Sequence, residues 1–143
     1  MEPSHVLVPL DGSPLAEKAL AHALAVFDCR VTVLNVVTPL DAPLSEGGVL
    51  EAGDERIETG RAHAEQVIDR AETQAETAGR TIETAVETGE PAETILAFVD
   101  EHDVDQVVMG GHGGDQSRIA RRLLGTVATA VVGDAPVTVT VVR

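Results

Sequence analysis

Val104-Asp105-Gln106-Val107-Val108-Met109-Gly110-Gly111-His112-Gly113-Gly114 is the stretch on which the reading of this chain turns. Val104 to Met109 is a short apolar run bounded by turn residues, the pattern of a buried strand. Glycines follow at once, and Leu123 to Val132 then repeats apolar residues at helical spacing. Strand, glycine loop and helix together make a common phosphate site. Glycines let the backbone approach the ligand, and the free N–H groups of a helix start attract anions. The same glycines can also make plain turns, so the rest of the chain has to be read.

Working outward, His5-Val6-Leu7-Val8-Pro9-Leu10 is a first strand, ended by Asp11-Gly12-Ser13-Pro14. Ser13 can cap a helix, Pro14 suits its first turn and Glu17 sits early in it. Leu15, Ala16, Ala19, Leu20, Ala23, Leu24 and Phe27 follow at helical spacing. After Asp28-Cys29 comes the β-branched run Val31 to Val37, a second buried strand. Thr38 to Gly53 reads as a long loop. An acidic helix is predicted over 54–78, with an apolar stripe of Ile57, Ala64, Val67, Ile68, Ala71, Ala75 and Ala78. Thr81 to Thr88 alternates as a half-exposed strand, and Pro91 and Glu93 open a helix closed by His102-Asp103. Pro136 to Val142 is the last strand. The order βαβαβαβαβ predicts one α/β domain over 1–143, a mostly parallel sheet with helices on both faces. In such sheets ligands bind beyond the carboxyl ends of the strands, where the strand order reverses.

Composition narrows the function. Twenty-four acidic residues face ten basic ones, for a net charge of −14. That balance argues against sequence-independent nucleic-acid binding, which needs phosphates neutralised. Lysine is nearly absent, with Lys18 alone, and there are two Phe and no Trp or Tyr. Such a composition fits a halophile's cytoplasm, where salt screens the repulsion among carboxylates. No apolar stretch has the length of a signal peptide or membrane helix, which predicts a cytoplasmic protein without membrane contact. Cys29 has no partner for a disulfide and no metal-ligand spacing.

Several residues carry two readings. Arg118, Arg121 and Arg122 cluster beside the glycine loop, where guanidinium groups would favour phosphate, or would pair with nearby carboxylates. Asp11 can contact a ligand or shape its turn, and His112 can touch phosphate or pack beside the sheet. Ser13 reads as a helix cap rather than a nucleophile, since no base accompanies it. His5, His22, His63 and His102 show no metal spacing. No general base, nucleophile pair or metal cluster of the kind catalysis needs is evident. Val137 to Val142, as the last strand, would leave a β-branched sheet edge that a second copy of the chain could cover.

These residues, taken in order, resemble the universal stress protein family. The match runs through Val6 to Ser13, Leu34 to Val37, Met109 to Gly113, Leu123 to Ala128, Ala135 to Val137 and Val139 to Arg143, and so spans the chain. The resemblance implies a three-layer sandwich on a five-stranded parallel sheet of order 3-2-1-4-5, and a homodimer, here through residues 137–142. It also implies, for one branch of the family, ATP binding through Gly-x-x-Gly, nine residues and Gly-Ser or Gly-Thr. Gly110-x-x-Gly113 and Gly125-Thr126 are present, with eleven residues between them. Carried over residue by residue, Pro9 and Leu10 would line the base, Asp11 would meet the ribose and the Val36 backbone the adenine edge. Gly110 and Gly113 would approach the phosphates, with Gly125 and Thr126 at the helix start and Met109 and Val127 beside them. Mg²⁺ would enter only as the companion of ATP. The function so implied is a nucleotide-dependent stress-response regulator or switch with a downstream protein partner. Alternatives are a nucleotide-free interaction module of the same family and, on a related fold, an ATP pyrophosphatase or adenylyl transferase.

Overall fold

The computed structural model describes residues 3–38, 49–111 and 124–143, with backbone alone over 49–59. Among the described residues five strands, β1 (His5–Pro9), β2 (Arg30–Val37), β3 (Glu83–Thr88), β4 (Gln106–Gly110) and β5 (Thr138–Val142), alternate with four helices. These are α1 (Pro14–Val26), α2 (Val49–Thr77), α3 (Pro91–Glu101) and α4 (Thr126–Asp134). The strands form one sheet of order β3-β2-β1-β4-β5, and every neighbouring pair is parallel. This is the architecture that the element order and the resemblance imply.

Alternation along the central strands builds two cores. Val6 and Val8 of β1 and Val31 and Val33 of β2 pack with Ala19, Leu20 and Ala23 of α1 and Val67, Ala71 and Ala75 of α2. Leu7, Leu34, Val107 and Met109 face the other way, onto Ile95, Phe98 and Val99 of α3 and Ala128 and Val131 of α4. With so few aromatics, small side chains let helices lie close to the sheet, and dispersion contacts among valines, leucines and alanines supply the packing. At the end of α2, Gly79 takes φ +72°, while Gly79 N–H donates to Glu76 O and Arg80 N–H to Ala75 O. That is a Schellman ending, which glycine adopts at no steric cost. Arg80 then donates to the carbonyls of Leu24 (2.6 Å) and Cys29 (3.1 Å), tying the end of α2 to the end of α1.

Element ends differ from the sequence reading for local reasons. The α2 helix begins at Val49, so 49–53 is helical where a loop was expected. Leu50, Glu51 and Ala52 are good helix formers, and one internal Gly53 costs only about 1 kcal/mol against them. Val104 belongs to the turn after α3, where its N–H donates to Val99 O and Asp103 takes φ +52°. The third and fifth strands start two residues late, at Glu83 and Thr138. The last helix starts at Thr126, after a non-helical Leu124, and Leu123 lies outside the described residues. Cys29 is half-buried against the α1 side of the sheet, and burial pushes its thiol up from the usual range. No described helix is long and apolar enough to cross a membrane.

Candidate functional site

The strand order reverses between β1 and β4, and a cleft of about 290 Å³ opens there, beyond the carboxyl ends of the strands. Its volume is at the low end of the roughly 300–1,000 Å³ usual for small-molecule sites. Pro9, Leu10, Asp11, Val36, Met109, Gly110, Gly125, Thr126 and Val127 all line it. These are nine of the ten candidate residues from the sequence; the tenth, Gly113, lies outside the described residues. So do His112 and the three clustered arginines.

The β1 side is fixed from several directions. Asp11 Oδ1 accepts from Ser13 N–H at 2.8 Å, closing an Asx turn, and the other carboxylate oxygen is not used in it. Gly12 sits at φ +87°, where a side chain is strained, and a Cβ there would lie 3.3 Å from both the His63 ring and Val67 of α2. Asp11 thus shapes the turn and also lines the cleft. Ser13 Oγ accepts from Ala16 N–H at 3.3 Å and caps α1.

Asn35, to which the sequence reading gave no role of its own, supplies the lock. Only 4% exposed, it donates from Nδ2 to Leu10 O at 2.8 Å, while Leu10 N–H donates to Leu34 O at 2.9 Å. The side chain extends the β1–β2 ladder one step past the end of β1 and holds the turn that presents Asp11. Replacing Asn35 by Leu strips a buried carbonyl of its donor, with an expected loss of about 1–3 kcal/mol of stability. Urea unfolding checks that loss, and amide exchange at Gly12 and Ser13 should accelerate with it.

The backbone of β2 carries a directional pattern. Leu34 O bonds toward β1, and Val37 O accepts from Gly89 N–H on the β3 side. Since both polar groups of a strand residue point to one side and sides alternate, the N–H and C=O of Val36 face β1's side, just where β1 has ended. One donor and one acceptor therefore border the cleft on a rigid strand.

Three helix N-termini meet at the same opening, those of α1, α3 and α4. Ser13 caps the first, and the Glu90 carboxylate caps α3 by accepting from Ala92 N–H and Glu93 N–H. The α4 helix starts at Gly125 with no side-chain cap, and Thr126 is exposed beside it. Among the described residues no side chain caps its first N–H groups, which have the helix dipole behind them and suit an anion. Among the described lining residues Asp11 is the only charged one, and Pro9, Leu34, Val36, Ile95, Met109 and Val127 make most of the wall apolar. No group of three or more metal-ligating side chains is found among the described residues.

Ala16, Leu34, Thr38, Pro91, Ile95 and Ala128 also line the cleft and were not candidates from sequence. Pro91 carried only a helix-start signal, and Ile95 was not singled out. Their place in the cleft follows from the parallel topology, which brings the first turn of α3 to the carboxyl edge.

Comparison with known proteins agrees with this geometry. The model of the universal stress protein family matches residues 3–143. A universal stress protein of Methanocaldococcus jannaschii is 31% identical over 142 residues, covering 96% of this chain and 81% of that one. The solved structure of the universal stress protein UspA from Lactobacillus plantarum superposes with a TM-score of 0.84 at 26% identity, covering 100% of this chain and 99% of that one. A universal stress protein solved in complex with cAMP has a TM-score of 0.72 at 27% identity, covering 100% of this chain and 99% of that one. Fold, strand order and a match along nearly the whole chain coincide, and the chain belongs to the universal stress protein family.

Proposed function

We propose that the chain binds an adenine nucleotide, ATP foremost, in the cleft between β1 and β4, and acts as a nucleotide-dependent stress-response regulator. The N-terminus of α4 supports this reading: among the described residues no side chain caps it, while side chains cap the two helix starts beside it, and a helix start suits a phosphate. The phosphates lie against Gly125 and Thr126, the base lies between Pro9, Leu10 and Val36, and Asp11 accepts from the ribose. An adenine edge offers a donor at its exocyclic amine and an acceptor at the neighbouring ring nitrogen. The C=O and N–H of Val36 complement that pair, and they mismatch guanine, whose edge has the opposite polarity. The relative solved with cAMP supports the ligand class. Mg²⁺ accompanies the nucleotide on its own phosphates.

The proposed assembly is a cytoplasmic homodimer through residues 137–142. Its support is β5, a sheet edge paired only with β4 among the described residues, where Val139, Val141 and Val142 stay partly exposed. Calorimetric titration with Mg-ATP and Mg-GTP, in concentrated potassium chloride to suit so acidic a chain, tests the function. Saturable ATP binding at least about tenfold tighter than GTP is expected, a difference of about 1.4 kcal/mol. No heat with either nucleotide overturns the nucleotide reading in favour of an interaction module, and equal affinities overturn the role of Val36.

A further inference from the structure

Opposite the cleft, at the amino ends of the strands, one buried histidine sits in a hydrogen-bond chain that holds one hydrogen too few. His5 is 4% exposed. Its Nδ1 lies 3.0 Å from the carbonyl oxygen of His102, and its Nε2 lies 2.7 Å from Thr32 Oγ1. Thr32 Oγ1 is in turn 3.1 Å from Glu83 Oε2, which also accepts from Arg30 Nε. A carbonyl can only accept, so Nδ1 carries a hydrogen in every state. The Thr32 hydroxyl owns a single hydrogen, and two acceptors compete for it: the Glu83 carboxylate and a neutral His5 Nε2. Glu83 does not supply the missing proton, because its hydrogen bond from Arg30 holds its carboxyl below the usual carboxylate range.

We propose that His5, Thr32 and Glu83 form a proton-operated clasp that joins β1, β2 and β3 to the end of α3. With a second proton taken from solvent on His5, Nδ1–H donates to His102 O, Nε2–H donates to Thr32 Oγ1, and the hydroxyl donates to Glu83. Every contact is then a hydrogen bond, and the cation faces a carboxylate through one hydroxyl. When His5 gives that proton back, the hydroxyl rotates to donate to Nε2, and Glu83 keeps Arg30 alone.

Carboxylates and guanidinium groups both surround the ring. Asp105, on the α3–β4 turn, accepts from Ser4 N–H, Ser4 Oγ and His5 N–H, and these bonds with the nearby imidazole hold its carboxyl below the usual range despite the opposing cost of burial. Arg30 opposes the cation, but it is turned to Glu83. The ring of His102 stacks on Phe98 at 3.9 Å and offers the clasp only its backbone carbonyl. Among the described residues, Asp28 and Cys29 on the α1–β2 link, Arg80 bonded to the Cys29 carbonyl, and Asp103 on the α3–β4 turn also lie at this end. The sign follows. Glu83 contributes above its ordinary range, near pH 4.5, and its contribution is lost as pH falls through its depressed folded value. The clasp is complete only with Glu83 ionised and both ring nitrogens of His5 carrying hydrogen.

Nitrogen-15 NMR of the histidine rings across a pH titration tests this on the intact protein. The neutral form of His5 should hold its hydrogen on Nδ1 and leave Nε2 bare, and the acid form should carry both. Glu83→Gln and Thr32→Val should each move the His5 midpoint to lower pH, since one removes the anion and the other the relay. Glu83 is half exposed, so its variant leaves the packing of the interior unchanged. A neutral form protonated at Nε2, or a midpoint indifferent to Glu83→Gln, overturns the clasp. A side chain with a merely structural role would change the unfolding temperature without moving that midpoint.

Discussion

Gly125→Asp is expected to weaken ATP binding by at least about 100-fold, a loss of about 2.7 kcal/mol, without lowering the unfolding temperature. The two effects have one cause. Gly125 is the N-cap of α4 and has no side chain with which to satisfy the helix's first N–H groups. Aspartate at that place accepts from them itself and puts a negative charge at the positive end of the dipole. The helix gains a few tenths of a kcal/mol or more, while an incoming phosphate loses its donors and meets a carboxylate. The backbone tolerates the change, since φ at Gly125 is −67°, open to any residue. Calorimetry and thermal unfolding read the two effects separately. If nucleotide affinity survives while the helix start is capped, the phosphates do not sit on α4. A fall in stability together with affinity would instead show that Gly125 serves the fold, through its own N–H bond to Gly111 O.

This opposition of sign comes from comparing three helix starts, and only part of that comparison is visible in sequence. Ser13 and Pro14 announce a capped α1, and Gly125-Thr126 announces a helix start. Glu90 as the cap of α3 is not obvious beside Pro91, because a longer side chain has to fold back to reach two N–H groups. The parallel α/β architecture is legible from the alternation of elements and the strand order from the family resemblance, and both point to the carboxyl edge of the sheet, where the cleft lies. Contacts across that cleft were not legible. Asn35 looks like one polar interruption in a valine-rich strand, and its bond to Leu10 O depends on where β1 stops relative to β2. His5 looked like one of several scattered histidines, yet register sets it against Arg30 and beside Thr32, so that the histidine, the hydroxyl and Glu83 of a third strand meet. Local pattern reports what a residue can do within its own element. Register across three strands decides what it touches.

The glycines of the Met109–Gly114 stretch make the same point with the opposite energetic outcome. The sequence reading gave Gly110 to the phosphates, and it does line the cleft. A Cβ built on Gly110, however, lies 3.0 Å from both the carbonyl carbon and the Cβ of Leu15, and 3.1 Å from Ala16 N. The missing side chain faces the first turn of α1, and two of those three atoms are backbone. No rotamer change relieves that contact, so α1 has to move away from β4. Gly110→Ala should therefore cost about 1–3 kcal/mol, with Gly110→Val at or beyond the upper end. For a chain of this size, that corresponds to roughly 2–4 °C of unfolding temperature per kcal/mol. Nucleotide affinity should fall as a consequence, because the displaced turn carries Ser13 and Ala16, both of which line the cleft. Urea unfolding of the nucleotide-free protein separates the two roles. A Gly110→Ala protein with full stability and no ATP binding would return this glycine to the phosphates. A loss of stability measured without any nucleotide would mean that Gly110 serves first to let α1 lie on the sheet, and serves the ligand only through the turn it holds in place.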